Sequence, residues 1–335
     1  MPNTTTIQLP KPKVYVTRTL FPEAIEILEK EAQVEVYESD DDPIPRDLLL
    51  RKIRDIDGLL PMLTDNIDAE LMDRAKKLKV VGNYAVGYNN IDVDAATKRG
   101  IMVTNTPDVL TDTTADTAFL LLMAVSRRLV EVDRYMRGGK WVKAWGPKMF
   151  LGSDVTGKTL GLVGLGRIGS AMVPRAKGFR MKLIYTDAVR SLAREEALGV
   201  EFREFNDLLR EADYVSVHVP LTAETHHLIG EKELRMMKPT AYLINTSRGP
   251  VVDEEALYRA LRDRVIAGAA LDVHEKEPVD KDDPLLSLDN IIMTPHIGSA
   301  TVETRVAMAV RAATNLAAAL RGERPQDLVN PGVLQ

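Results

Sequence analysis

The chain has 335 residues, enough for two domains, and its lack of cysteine excludes disulfides, thiolate metal ligands and a cysteine nucleophile. Charged residues make up 28% of it, and a net charge of −5 with both signs interspersed argues against a nucleic-acid surface. The longest apolar run, 118–125, is too short to span a membrane and the N-terminal stretch lacks a secretory core, which predicts a soluble, cytosolic protein.

Short strand patterns alternate with helical patterns over the first third of the chain. In chain order they are a strand at 13–17, a helix at 21–32, a strand at 34–37, a helix at 48–56, a strand at 57–63, a helix at 67–78, a strand at 79–87, a helix at 92–100 and a strand at 101–105. This alternation predicts a parallel sheet covered by helices on both faces, with right-handed crossovers.

Residues 106–141 are typical of one long helix that ends at Gly138 and Gly139. A Gly- and Pro-rich loop follows at 146–159, and a second α/β series then runs to about Pro295. Its six strand patterns lie at 159–164, 182–187, 214–220, 240–247, 266–273 and 290–295. Six strands with helices between them predict a doubly wound dinucleotide-binding fold.

The last helical pattern, 301–322, is Ala-rich and apolar on one face. Because six strands already complete the second domain, we expect this face to pack against the first domain. The nucleotide-binding domain is then inserted into a discontinuous first domain, and the crossovers near 106–140 and 297–305 are the predicted hinges.

Gly164, Gly166 and Gly169 form a G-x-G-x-x-G pattern between a strand and a helix. Such glycines allow a tight turn and let the backbone approach a pyrophosphate at the positive end of the helix. The next strand ends in Asp187, whose carboxylate would accept hydrogen bonds from a ribose and repel a 2′-phosphate. NAD is therefore favoured over NADP, although Arg190 could soften this preference.

Of the five histidines, His226 and His227 lie in a polar stretch, His218 ends a strand beside the expected cofactor cleft, and His274 lies in the sequence LDVHEKEP. His296 ends the sixth strand pattern, where ligands collect in a doubly wound sheet.

Arg248 follows the fourth strand pattern and could hold a carboxylate through two parallel hydrogen bonds. A carboxylate would keep the histidine protonated, but spacing does not choose among Asp272, Glu275 and Glu277.

From about Lys13 onward the chain resembles the D-isomer-specific 2-hydroxyacid dehydrogenases. The resemblance is carried by NYAVGYNNIDVDAATKRGIMVTNTPDVLTDTTADTA, TLGLVGLGRIG, NTSRGPVVDEEAL, GAALDVHEKEP and TPHIGSAT. Within the family the chain is most similar to glyoxylate/hydroxypyruvate reductases, notably in NYAVGYNNID, VTNTPDVLTD and WGPKMFLG. The resemblance implies reduction of a small α-keto acid with NAD(P)H and no metal.

The family's fold implies two doubly wound parallel-sheet domains, with a Rossmann cofactor domain inserted into a flavodoxin-like substrate domain. We expect the substrate domain at 1–106 and 300–335. The cofactor domain is expected at 107–299, including a long linking helix at 108–137 and a dimerisation arm at 140–152. The implied assembly is a homodimer through the cofactor domains, with no membrane partner.

Matched by motif, Arg248 resembles the substrate-binding arginine, Glu277 the glutamate and His296 the acid/base histidine of the family. Val86 and Gly87 align with the loop whose N–H groups hold the substrate carboxylate. The implied cofactor-binding residues are Thr114, Gly164, Leu165, Gly166, Arg167, Ile168, Gly169, Asp187, Val219, Pro220, Thr225, Thr246, Ser247, Asp272, His296 and Gly298.

Two other functions are compatible with the same fold. A phosphite dehydrogenase would oxidise phosphite with NAD, but such enzymes typically carry a lysine where this chain has Val86. A corepressor of the same superfamily would bind NAD as a partner-dependent switch, but the extra tails and peptide-docking surfaces of such proteins are not evident in this sequence.

Overall fold

A computed structural model describes residues 10–335, which fold into two compact units. One contains the described residues up to Leu110 together with Thr301–Gln335, and the other is Thr111–Ala300. Both are α/β units with parallel sheets, so the predicted fold class is confirmed. The N-terminal stretch predicted to lack a secretory core, and the start of the predicted substrate domain, lie partly outside the described residues.

The first unit is built on a five-stranded sheet. Its strands are β1 (Lys13–Val16), β2 (Gln33–Val36), β3 (Gly58–Leu60), β4 (Val80–Gly82) and β5 (Met102–Thr104), and its helices before the second unit are α1 (Pro22–Glu31), α2 (Arg46–Lys52), α3 (Ala69–Arg74) and α4 (Val93–Lys98). The strand order β2-β1-β3-β4-β5 is the flavodoxin-like order. Strands β3 and β4 are buried throughout, as expected for the middle of a two-faced parallel sheet.

The second unit has a seven-stranded parallel sheet. Its strands are β6 (Thr159–Val163), β7 (Lys182–Thr186), β8 (Glu201–Phe202), β9 (Tyr214–Val217), β10 (Tyr242–Asn245), β11 (Gly268–Leu271) and β12 (Ile291–Met293), and its helices are α5 (Thr111–Ser126), α6 (Leu129–Arg137), α7 (Arg167–Gly178), α8 (Leu192–Leu198), α9 (Phe205–Glu211), α10 (Glu231–Met236) and α11 (Glu254–Arg262). Separate apolar clusters fill the two faces of the sheet.

The strand order of this sheet is β12-β11-β10-β9-β6-β7-β8. The prediction of six strands was wrong because it omitted β8, an edge strand of two residues. With β8 counted as the third strand, the first six strands follow the order 3-2-1-4-5-6 of dinucleotide-binding folds. Strand β12 is then a seventh strand at the opposite edge, and His296 follows this edge strand.

The single helix predicted over 108–137 is also wrong, because α5 and α6 are separated at Arg128, which has a left-handed φ of 55°. The returning chain explains the break. The N–H of Ser153 donates to the Ser126 carbonyl at 2.8 Å, and a Cβ on Gly152 would lie 2.4 Å from that oxygen. This contact takes the carbonyl that a continuous helix would use.

The last helix, α12 (Val302–Leu320), packs on α1 and on strands β3 and β4 of the first unit, which confirms the prediction for its apolar face. Leu316 of α12 lies against Gly58 and Gly82, where an added Cβ would come within 3.1 and 3.2 Å of its side chain. Small residues on these strands therefore let the helix approach the sheet closely. Within residues 10–335, none of the helices is long and apolar enough to cross a bilayer.

Candidate active site

The glycine-rich turn joins β6 to α7, and a different structural feature accounts for the glycine at each of its three positions. Gly164 has a φ of +95°, a left-handed conformation that favours glycine. A Cβ on Gly169 would lie 2.1 Å from the Gly164 carbonyl oxygen, so no side chain fits at the contact between helix and turn. Gly166 differs, since a Cβ at this position would enter open space at the N-terminus of α7. A pyrophosphate fits there, close to the backbone N–H groups of the helix.

Asp187 lies at the end of β7 and faces the same turn. Its Oδ2 accepts a hydrogen bond from the N–H of Leu165 at 2.8 Å, and its Oδ1 accepts one from the N–H of Ala188. Arg190 lies close by, but its guanidinium pairs with Glu195 at 2.8 Å. The carboxylate of Asp187 is therefore fixed beside the turn, while Arg190 is held by another partner.

The other residues predicted to bind a cofactor also lie in the second unit. Residues 219 and 220 follow β9, where the Thr225 hydroxyl donates to the Pro220 carbonyl at 2.6 Å. Thr246 and Ser247 follow β10, and the buried Thr246 hydroxyl has no hydrogen-bond partner within the described part of the chain. Such an unsatisfied hydroxyl fits a site where a polar ligand binds.

His296 and Glu277 form the central pair of the site. The Nδ1 atom of His296 lies 2.9 Å from Oε2 of Glu277, and both side chains are about a quarter exposed. The other oxygen of Glu277, Oε1, accepts the backbone N–H of His274 at 2.9 Å. Burial on its own raises the pKa of Glu277, but the hydrogen bonds and charges of His296 and His274 lower the pKa below its usual range.

Asp272 holds the segment that carries His296, which has a left-handed φ of 54°. Its carboxylate is buried and accepts hydrogen bonds from the hydroxyl of Thr294 at 2.6 Å and the N–H groups of Ile297 at 2.8 Å and Gly298 at 2.7 Å. Thr117 of α5 donates its hydroxyl to the Gly298 carbonyl at 3.2 Å. The backbone on both sides of His296 is thus fixed, and the imidazole is presented by a rigid turn.

Arg248 lies after β10, and burial lowers the pKa of its guanidinium while the charge of Glu277 opposes that shift. The side-chain amide of Asn245 donates to the Arg248 carbonyl at 2.9 Å, which fixes the backbone at this residue. The following residue, Gly249, packs directly on the backbone of His274. The segment with Arg248 and the turn with Glu277 are therefore in direct contact.

Val86 and Gly87 belong to the first unit, in the loop after β4. The amide of Asn105 donates to the Val86 carbonyl at 2.7 Å, and the amide of Asn83 donates to the Gly87 carbonyl at 2.9 Å. Because the N–H of a trans peptide points away from its carbonyl, the N–H groups of Gly87 and Tyr88 point away from these two asparagines. Within residues 10–335, the N–H groups at 86–88 donate no hydrogen bond, so they can bind an anion.

The remaining histidines have different surroundings. His218 lies 2.9 Å from the Ser216 hydroxyl through Nε2, and burial lowers its pKa to about 4, so it is neutral near pH 7. His226 and His227 are exposed, with rings 4.1 Å apart. His274 is buried and lies 3.6 Å from Glu254 through Nδ1. Sequence reasoning missed the roles of His274, Asn83 and Asn105, although NYAVGYNN and LDVHEKEP contain two of them.

This arrangement can carry out proton transfer next to an anion-binding group. A carboxylate oriented toward Nδ1 of an imidazole favours its protonated form and leaves Nε2 for a reactant. A guanidinium can hold a planar carboxylate through two hydrogen bonds. The turn at Gly166 and the carboxylate of Asp187 together fit a dinucleotide.

Comparison with known proteins identifies relatives along almost the whole chain. A family model described as "D-isomer specific 2-hydroxyacid dehydrogenase, NAD binding domain" matches residues 119–298. A glyoxylate reductase of Korarchaeum cryptofilum is 54% identical over 325 residues, which are 97% of this chain and 98% of the relative.

Solved structures agree with this result. The TT0316 protein of Thermus thermophilus is 47% identical, with a TM-score of 0.89 over 95% of this chain and 99% of that one. An NADPH-dependent glyoxylate/hydroxypyruvate reductase of Sinorhizobium meliloti, solved with NADP and malonate, is 34% identical, with a TM-score of 0.83 over 96% and 98% of the two chains.

Proposed function

Because the chain belongs to the D-isomer-specific 2-hydroxyacid dehydrogenases, we propose that it reduces glyoxylate and hydroxypyruvate to the corresponding 2-hydroxy acids. The observation that carries this proposal is the hydrogen-bonded His296–Glu277 pair, whose Glu277 carboxylate also acts on the pKa of the Arg248 guanidinium. The oxidoreductase class follows from the family, and the choice of substrate is supported by the names of the relatives.

In this proposal Arg248 binds the carboxylate of the keto acid through two parallel hydrogen bonds. The backbone N–H groups of Val86 and Gly87 bind the same carboxylate, as the family resemblance implies. Arg248 also stabilises the negative charge that develops on the carbonyl oxygen during reduction.

When bound, the reduced nicotinamide cofactor supplies a hydride to the carbonyl carbon. His296, in its protonated form, donates the proton on Nε2 to the carbonyl oxygen, which completes the hydroxyl group of the product. Glu277 holds Nδ1 of the ring, so it keeps Nε2 directed at the reactant and favours the imidazolium before the transfer. In the direction of oxidation, neutral His296 accepts the hydroxyl proton through the same nitrogen.

For the cofactor, we propose NADH as the preferred reductant, with NADPH as a weaker one. The residues that would hold it are the glycine-rich turn, Asp187 and the polar groups after β9 and β10, Thr225, Thr246 and Ser247 among them. The Asp187 carboxylate disfavours a 2′-phosphate. Arg190 pairs with Glu195, so its charge does not offset the repulsion between Asp187 and the phosphate. Thr114, Asp272 and Gly298 are proposed to line the nicotinamide side.

We also propose that the chain forms a homodimer through the second unit. Apolar side chains along 140–152 are exposed, among them Trp141, Val142, Trp145 and Leu151, with 79% of Trp145 accessible. Exposed apolar side chains in such number mark association surfaces. Light scattering after size exclusion should give twice the chain mass, and replacing both tryptophans by serine should shift the protein toward the monomer.

The function is tested by the initial rate of NADH oxidation with glyoxylate, hydroxypyruvate and pyruvate, each repeated with NADPH. We expect turnover on the first two, and a loss of about a hundredfold or more in His296→Gln with a far smaller change in NADH affinity. The exposed His226→Gln is the matched control. Phosphite oxidation with NAD, without keto acid reduction, would instead support the phosphite dehydrogenase function.

A further inference from the structure

Three histidine–carboxylate pairs meet at the turn formed by residues 274–277. They are His227 Nε2 with Glu275 Oε1 at 2.8 Å, His274 Nδ1 with Glu254 Oε1 at 3.6 Å, and His296 Nδ1 with Glu277 Oε2 at 2.9 Å. The last pair is the proton donor of the proposed reaction, and the first is exposed. The middle pair is buried and has no part in the proposed mechanism.

The surroundings of His274 favour a charged ring. Its Nε2 lies 3.1 Å from the carbonyl oxygen of Thr294, a group that only accepts, so Nε2 carries a proton. Its Nδ1 is buried without a hydrogen-bond partner in the described residues and faces the Glu254 carboxylate. A second proton on Nδ1 would therefore point at a negative charge rather than into an apolar wall.

Glu254 is fixed independently of His274. It lies in the first turn of α11, and its Oε1 accepts the N–H of Glu275 at 3.1 Å. In return, Oε1 of Glu275 accepts the N–H of Glu254 at 3.1 Å. This reciprocal pair ties the turn of Glu277 to the start of α11, so the position of the Glu254 carboxylate does not depend on the imidazole.

The charged groups that face the His274 ring are few. Glu254 approaches from α11, and Glu277 lies in its own turn. The segment after β12 contributes the Thr294 carbonyl, and the segment after β10 contacts His274 through the backbone of Gly249. Burial alone lowers the pKa of His274, but Glu254, the Thr294 carbonyl and Glu277 together raise it above its usual value.

We propose that His274 is a positioning residue for the Glu277–His296 pair: its backbone N–H fixes Glu277, and its imidazolium, held on Glu254, competes with His296 for the charge of Glu277. This proposal rests on the proposed reductase function. A cation beside Glu277 weakens the hold of that carboxylate on the proton of His296, which makes the proton easier to transfer. A neutral residue at 274 removes one of the cations near Glu277 and leaves His296 and Arg248, so the hold of Glu277 on the His296 proton becomes stronger.

The direct test is an NMR titration of the histidine side chains in the full-length protein. The five imidazoles are few enough to resolve, and His274→Phe assigns the resonance in question by its loss. We expect the His274 midpoint above about 6.5, and a lower midpoint in Glu254→Gln, which keeps an oxygen acceptor for Glu275 but has no charge. A ring that stays neutral from about pH 6 to 8, or a midpoint unaffected by Glu254→Gln, would overturn the proposal.

The second test is the pH dependence of kcat/KM for glyoxylate reduction. In His274→Phe the alkaline limb should move to higher pH by about half a unit, because a positive charge near Glu277 is lost. In His227→Gln, which removes the exposed pair on the same turn, the limb should not move. A uniform loss of rate in His274→Phe without a shift would indicate a merely structural role and would refute the proposal.

The two tests separate this proposal from the function. If the wild-type protein reduces none of the keto acids, the proposed function fails, and the NMR titration still decides whether Glu254 holds His274 as an imidazolium. Normal NADH binding by His274→Phe, measured by fluorescence, shows that the variant is folded.

Discussion

A Cβ on Gly249 would stand 1.9 Å from the carbonyl carbon of His274 and 2.0 Å from its carbonyl oxygen. The atoms in contact belong to the backbone, so no side chain can rotate away to make room. The segment that carries Arg248 and the turn that carries Glu277 are therefore held together by close backbone packing, independently of any interaction between their charges.

Gly249→Ala should separate these two segments. We expect kcat/KM for glyoxylate to fall by about a hundredfold, because a shift of about 1 Å in a catalytic group costs that much. NADH affinity should fall by much less than kcat/KM, since the glycine-rich turn and Asp187 lie elsewhere in the unit. Gly178→Ala is the matched control, because open space surrounds that position, and its activity should equal that of the wild type. Equal activities in both variants would contradict the close contact.

Glu277→Gln tests the carboxylate itself. The amide keeps the shape of the side chain, but it no longer supplies a negative charge beside His296. The imidazolium loses stabilisation, so the alkaline limb of glyoxylate reduction should move to lower pH, and the rate at neutral pH should fall about tenfold or more. A pH profile identical to that of the wild type would show that Glu277 does not act on His296.

Gly166 and Gly169 should respond differently to substitution. Gly166→Val enters open space, so the protein should fold with an unchanged melting temperature but bind NADH about tenfold more weakly or worse. Gly169→Val places atoms against the Gly164 carbonyl, so it should lower the melting temperature or prevent folding. Fluorescence titration and thermal unfolding measure the two effects. Tight NADH binding by Gly166→Val would mean that the pyrophosphate does not approach this turn.

Asp187→Asn tests the proposed preference for NADH. The variant keeps an oxygen that can accept the N–H of Leu165, but it removes the charge that repels a 2′-phosphate. The ratio of kcat/KM with NADH to that with NADPH should fall about tenfold. Asp207→Asn, an exposed position on α9, should leave the ratio unchanged. An unchanged ratio in Asp187→Asn would place the discrimination elsewhere.

His218 should make the second unit sensitive to acid. Burial lowers the pKa of His218 to about 4, whereas the same group in the unfolded chain titrates near about 6.5. Between these values the unfolded chain binds a proton that the folded chain does not, so the free energy of unfolding falls as the pH falls. The loss reaches roughly 3 kcal/mol by about pH 4. Urea unfolding at about pH 7 and about pH 4.5 should show a smaller loss in His218→Asn than in the wild type.

The main elements could be predicted from the sequence because each has a local pattern long enough to be recognised. Strand β8 could not, since two residues at a sheet edge show no periodicity. The break between α5 and α6 has no glycine or proline to mark it. It depends on residues 152 and 153 returning to the end of α5, which is a tertiary contact that local propensity does not contain.

In the candidate site, too, some residues could be predicted from the sequence and others could not. Arg248 and His296 could be selected because each follows a strand of a parallel sheet. Spacing could not choose Glu277, because the turn after β11 sends its three carboxylates to different partners. Asp272 binds the N–H groups at 297 and 298, Glu275 binds His227, and Glu277 binds His296. The path of the backbone through the turn decides which of these carboxylates pairs with His296. Spacing does not contain that path, so only the family resemblance selects Glu277 from the sequence.

The packing of α12 on β3 and β4 has a consequence for synthesis. The ribosome makes these strands early, but it makes α12 only after the whole of Thr111–Ala300. At ordinary rates of translation this interval lasts roughly 10 to 40 s. During this interval the face of the first sheet that packs against Leu316 is exposed. The second unit can therefore fold before the first unit is complete. The nascent chain should therefore be most dependent on chaperones just before its last helix emerges.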